Sequence, residues 1–181
     1  KLNYYKSIYH VDLMCVFNEM TGKIYQKFIR GKTLIVGSVL SNKTKLSKNK
    51  KKDLTYISSY RPNMKIDLEK NFIKLIIILK EYCIKKNLKL NILGRYFKNS
   101  TRANNEKKFY YKILKKNFSL VLNSRNRKTY NIVDNSKITV SGGSTLGIES
   151  LGRKNKTLLI NPSYNIFPYK KIFFGYFSKR N

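Results

Sequence analysis

In the stretch KITVSGGSTLGIESLGRKNKTLLINP, residues 137–162, two adjacent glycines, Gly142 and Gly143, are followed by Ser144, Thr145 and, one helical turn further on, Glu149. Glycines there let the backbone turn sharply and admit a ligand closely. Ser144 or Thr145 can cap a helix whose first N–H groups face outward, and such a helix N-terminus attracts phosphate. Glu149 stands about one turn beyond the cap, where its carboxylate could accept hydrogen bonds from ligand hydroxyls. Phosphate together with hydroxyls points to a nucleotide or a nucleotide-sugar. Glycine turns between strand and helix also occur for purely steric reasons, and the stretch contains neither G-x-G-x-x-G nor G-x-x-x-x-G-K-[ST].

The elements that must position these residues follow from apolar periodicity. Ile138 to Val140 reads as a strand, Thr145 to Lys154 as a helix and Thr157 to Ile160 as a second strand closed by Asn161-Pro162, a βαβ unit. Upstream, strands are predicted at 54–58, 88–93 and 118–122, and helices at 68–86, 104–116 and 128–136. The helix at 68–86 carries apolar residues on more than one face, which predicts packing on two sides. Near-continuous apolar strands separated by helices predict an α/β, doubly wound parallel sheet, Rossmann-like, covered on both faces. Ligands bind such sheets at the carboxyl ends of the strands. The loops there carry Ser58, Ser59, Tyr60 and Arg61, then Gly94 and Arg95, then Ser141 to Thr145. Two arginines, a serine-rich turn and a helix N-terminus on one edge make an anion pocket, although a lone arginine is more often merely solvated.

The first part of the chain reads differently. Leu13, Val16, Phe17, Met20, Ile24, Tyr25 and Phe28 fit a helix over 12–29 stopped by Gly31, and KTLIVGSVL, 32–40, fits a strand. SNKTKLSKNKKK, beginning at Ser41, has no core residues and predicts a basic linker, 41–53. The expected organisation is therefore 1–40 as the end of one domain, 41–53 as linker, 54–162 as the ligand-binding domain and 163–181 as a truncated extension. With Lys1 first and KIFFGYFSKRN last, the chain reads as a piece of a longer protein.

Composition narrows the classes. A hydrophobic content of 41% is enough to build a core, which excludes a disordered or fibrous chain. Lys and Arg number 39 against nine Asp and Glu, a formal charge of +30. Abundant Lys, Asn, Ile, Tyr and Phe with no Trp indicate a coding bias in which Lys fills indifferent surface positions. The charge is spread along the chain, which favours that bias, or attraction to an anionic membrane surface or phosphorylated substrate, over nucleic-acid binding. Cys15 and Cys83 lack the C-x-x-C spacing of zinc or redox sites and read as buried free thiols in a reducing compartment. The most apolar segment, Phe72 to Leu79, is interrupted by Lys74 and reads as a core helix, not a membrane span.

The order FNEMTGKIYQKFIRGKTLIVGS, basic linker, YISSYR, long helix, LNILGR and SGGSTLGIESLGRKNKTLL resembles the surface-carbohydrate biosynthesis proteins of bacteria, which are glycosyltransferase-like proteins of the two-Rossmann-domain GT-B type. The specific part is STLGIES, similar to the family's S-T-L-G-Y-E with Ile148 in place of the aromatic residue. The resemblance implies that 1–40 ends an N-terminal acceptor domain and that 54–162 is most of a C-terminal donor domain. It implies a donor nucleotide held without a bound metal or other cofactor, with Ser144 and Thr145 toward phosphate, Glu149 toward ribose or sugar, and Arg61 and Arg95 toward the phosphate charge. The catalytic base of such enzymes usually belongs to the N-terminal domain. His10 and Asp12 have the chemistry of a base, but nothing in their spacing marks either.

The expected activity is sugar transfer from a nucleotide-activated donor to a surface glycan or lipid-linked acceptor, in the cytoplasm and at the inner face of the membrane. Two other readings stand beside it. One is a nucleotide-sugar epimerase of the same architecture, which needs cleft carboxylates, and Glu149 is the acidic residue with a convincing cleft position. The other is a non-catalytic module binding polyanions or membrane surfaces through its charge.

Overall fold

In the computed structural model of the chain, residues 10–47, 52–123 and 128–160 are described. The closing Asn161-Pro162, the 163–181 extension and part of the basic linker lie outside these residues. The chain divides into two compact units, one ending at Lys45 and the other starting at Leu46.

The first unit holds β1 (His10–Val16), α1 (Glu19–Tyr25), β2 (Arg30–Ile35) and a single turn, α2 (Val39–Asn42). β1 and β2 pair in parallel, with Val16 opposite Ile35. Here the predicted helix over 12–29 is corrected: its first half is strand. The Asn18 side chain accepts the Thr21 N–H at 2.9 Å and starts the helix there, so the residues before it are extended. Apolar residues on a strand and on the following short helix reproduce helical spacing by coincidence. Gly31 does not stop a helix. It lies in β2, where a Cβ would overlap the Val11 carbonyl. Cys15, expected to be buried, is exposed on β1.

The second unit alternates as the sequence predicts: β3 (Asp53–Ile57), α3 (Ile66–Lys85), β4 (Leu90–Phe97), α4 (Thr101–Leu114), β5 (Phe118–Asn123), α5 (Lys128–Asp134), β6 (Ser136–Ser141), α6 (Thr145–Gly152) and β7 (Thr157–Leu159). Every pairing is parallel and the strand order is β5-β4-β3-β6-β7. The chain starts at the central β3, builds outward to β5, then returns to the other side of β3. The order therefore reverses between β3 and β6, the position at which open sheets of this kind bind ligands.

Both faces of this sheet are covered. On one, Leu54, Tyr56, Leu90 and Ile92 pack against Phe72, Ile76, Leu79 and Cys83 of α3 and Tyr110 and Leu114 of α4. On the other, Ile57 and Leu93 pack with Val133 of α5 and Leu146 of α6. At roughly 25 cal/mol per Å² of buried apolar surface, such interdigitated aliphatic layers are the main stabilising term. α3 departs from expectation: it buries one stripe and leaves Ile78 and Ile84 about 60% exposed on the opposite face, because the sheet covers only one side of it.

Candidate functional site

The loops leaving β3 and β6 meet at the reversal point. Gly142 follows β6, and a Cβ there would come 2.6 Å from the Ser59 hydroxyl oxygen, so a side chain at 142 would push the two loops apart. Gly143 has a φ of +98°, which L side chains rarely adopt, and the space where its side chain would stand is open. Next comes Ser144, the N-cap of α6. The Ser141 hydroxyl accepts the Ser144 N–H at 3.2 Å, but no side chain caps the first turn of α6 itself. Thr145 at that end is exposed. The result is a helix start with uncapped N–H groups beside an open glycine turn.

Glu149 lies one turn into α6 and is already engaged: the Tyr130 hydroxyl of α5 donates to its Oε2 at 2.9 Å. Behind it, the Arg153 guanidinium lies 5.0 Å from the Tyr130 ring centre and is clamped onto Asp134 by Nε to Oδ1 at 2.9 Å and Nη2 to Oδ2 at 2.5 Å. Asn155 and the Ser47 N–H, each at 3.1 Å, also donate to Asp134. Burial alone would push the Asp134 carboxyl up, but the hydrogen bonds from Arg153, Ser47 and Asn155 outweigh it and hold the pKa below its ordinary value.

Arg61 follows β3 and is exposed. Arg95, predicted on a loop, sits in the last part of β4, within the irregularity of the β4–β5 register between Leu93 and Phe97. Its guanidinium and that of Arg102 on α4 each lie 6.0 Å from the Tyr96 ring centre, and the Tyr60 ring packs edge-on against Tyr96 at 6.4 Å. Among the described residues the ion pairs are Lys23 with Glu19 and Arg153 with Asp134, so Arg61, Arg95 and Arg102 bring uncompensated charge to the C-terminal end of the sheet.

Sequence reasoning missed Glu106. This α4 residue is fully buried, and its carboxylate accepts the Arg95 N–H on both oxygens at 3.0 Å and the Tyr96 N–H at 3.3 Å. It also accepts the Ser58 hydroxyl, which in turn accepts from the Tyr110 hydroxyl at 2.7 Å and the Tyr60 N–H at 3.2 Å. Burial raises the Tyr110 phenol well above its ordinary value and keeps it a donor. A signal was present: Ala103, Glu106, Tyr110 and Leu114 share one helical stripe, and the glutamate is its odd member. No group of three or more metal-ligating side chains occurs among the described residues, and no helix among them is long and apolar enough to cross a membrane. His10 and Asp12 are exposed on β1.

A parallel doubly wound sheet, a glycine turn at its reversal point and an uncapped helix start define a Rossmann-like α/β protein. The chain belongs to the family Lept_O_ant_chp1, described as "putative O-antigen biosynthesis protein", whose model matches residues 1–179. A comparison with curated proteins found no match. Among solved structures the chain is similar to UDP-GlcNAc 2-epimerase from Neisseria meningitidis bound to UDP-GlcNAc, at 12% identity and a TM-score of 0.40. The match covers 62% of this chain and 27% of that one, so the chain spans well under half the length of the structure it matches.

Proposed function

We propose that this chain carries the donor-binding half of a glycosyltransferase of surface-carbohydrate biosynthesis, and that the activated sugar is held as a nucleoside diphosphate conjugate at the reversal point between β3 and β6. The observation that supports it best is the packing of Gly142 against Ser59 beside the open Gly143 and the uncapped start of α6. The start of α6 keeps its first N–H groups without a side-chain cap beside the open side of Gly143, and the helix dipole there favours negative charge. Arg61 and Arg95 would add charge-assisted hydrogen bonds to the diphosphate. Glu149 would take the ribose or sugar hydroxyls, exchanging the Tyr130 hydroxyl for those of the ligand. The acceptor, a glycan or a lipid-linked saccharide, would approach from residues outside this unit, and those residues would also supply the base.

The test is calorimetric titration of the folded chain with a panel of nucleoside diphosphates and their sugar conjugates, followed by incubation of the full protein with the conjugate that binds. Saturable binding of one nucleotide, weakened by Arg95→Ala, is the expected result. Release of free nucleotide only when a glycan acceptor is present supports transfer. Conversion of the sugar without acceptor would replace transfer by epimerisation, and equal binding of every polyanion would reduce the chain to an electrostatic module.

A further inference from the structure

We propose that Glu106 is the positioning residue of the anion site: a carboxylate that never touches the ligand fixes the two backbone turns that carry Arg61 and Arg95. The inference rests on the donor-site reading above and deepens it.

The chain has nine acidic residues against 39 basic ones, yet one of the nine stands fully buried in the apolar stripe of α4. Glutamate is almost never fully buried unless paired, and among the described residues no cationic side chain pairs with it. Its compensation comes from donors that belong to the ligand-side loops. The Arg95 N–H points at both carboxylate oxygens and the Tyr96 N–H at one of them. Two successive N–H groups cannot both turn to one side in a regular strand, where successive groups alternate, so the carboxylate and the register irregularity of β4 imply each other. Bulges of this kind re-aim side chains next to functional sites.

Gly94 shows that the approach is built in. A Cβ at that position would come 3.2 Å from Glu106 Oε2 and 2.9 Å from Leu122 Cδ2, so a side chain would crowd the carboxylate off the turn. The other arm runs through Ser58, whose hydroxyl donates to Glu106 while accepting the Tyr60 N–H, which sets the chain direction just before Arg61. A leucine or methionine would satisfy the packing of this stripe. What only a carboxylate does is accept from three separate donors at once. An amide in its place would present its NH2 to at least one of those donors.

The test compares wild type, Glu106→Gln, Arg95→Ala and the double variant in three measurements: thermal unfolding, amide hydrogen exchange at Arg95 and Tyr96, and titration with UDP, ADP, GDP and CDP. The expected result for Glu106→Gln is a folded protein with faster exchange at both amides and nucleotide affinity reduced about tenfold, the scale of one charge-assisted hydrogen bond. The double variant should bind more weakly than Arg95→Ala by clearly less than the roughly tenfold loss of Glu106→Gln alone, because the two changes share the Arg95 contact and differ only in the Arg61 turn. Unchanged exchange, unchanged affinity or strictly additive losses would overturn the positioning role. Should Glu106→Gln fail to fold, Ser58→Ala takes its place and must lower affinity with Tyr60 exchanging faster; unchanged binding overturns the proposal equally. Wild type that binds none of the four nucleotides removes the donor reading and this role with it, whereas binding that Glu106→Gln shares removes this role alone.

Discussion

The Tyr130 hydroxyl donates to Glu149 at 2.9 Å, so the carboxylate one turn inside α6 is held from α5. A donor hydroxyl reaching Glu149 would share the carboxylate with that phenol or displace it. Glu149→Gln is expected to weaken binding of the sugar conjugate by roughly 1 to 3 kcal/mol, the usual loss for a hydrogen bond to a charged group. Tyr130→Phe should lower stability by about 1 kcal/mol without weakening conjugate binding. Calorimetry and thermal melts on the two variants check both, and a Glu149→Gln protein that binds as wild type excludes any contact with the donor.

The Asp134–Arg153 pair sets an acid limit on stability. Its side chains are 2% and 5% exposed, and the Asp134 pKa is lowered from an ordinary value of 3.8. A group with a depressed folded pKa contributes stability that is present above the unfolded value and lost as pH falls through the folded one. Unfolding midpoints should thus be level down to about pH 4 and fall below it as far as this pair is concerned. Arg153→Met should cost about 3 to 5 kcal/mol near neutral pH by stranding the carboxylate, and should flatten the acid limb. Urea melts across pH 2.5 to 7 decide it.

The two thiols should differ sharply in reactivity. Cys83 is buried in α3, and burial, with a smaller push from Asp53, raises its pKa to about 11, whereas Cys15 is exposed. A thiol reagent at pH 8 should label Cys15 within minutes and Cys83 only in denaturant, because the thiolate is the reacting form. Mass spectrometry of the labelled chain shows which residue reacts; fast labelling of Cys83 would mean that α3 opens from the sheet.

A cationic surface of this size should draw the protein to anionic lipid if its acceptor is lipid-linked. Co-sedimentation with vesicles containing phosphatidylglycerol is expected to exceed that with phosphatidylcholine alone, and to fall as salt is raised from 50 to 300 mM. Indifference to lipid charge would leave the +30 as a property of coding bias.

Much of the second unit was fixed by its sequence, since strand and helix follow from local periodicity. Leu54 to Ile57 and Leu90 to Leu93 put apolar side chains on both sides and are separated by helices, which a covered parallel sheet accommodates. The glycine turn at 142 and 143 was legible for the same reason, because backbone freedom is a property of the residue. Local pattern misled where a strand and a short helix, His10–Val16 and Glu19–Tyr25, happened to combine into helical spacing; parallel pairing with β2 settled the difference. Strand order was not legible at all. Only the tertiary structure decided that β6 returns beside β3, which sets Gly142 against Ser59, and that α4 aims Glu106 at the Arg95 turn. It decided equally that Tyr130 reaches Glu149. These are contacts between residues far apart in the chain, and a carboxylate in an apolar stripe acquires its meaning from the donors that the fold brings to it.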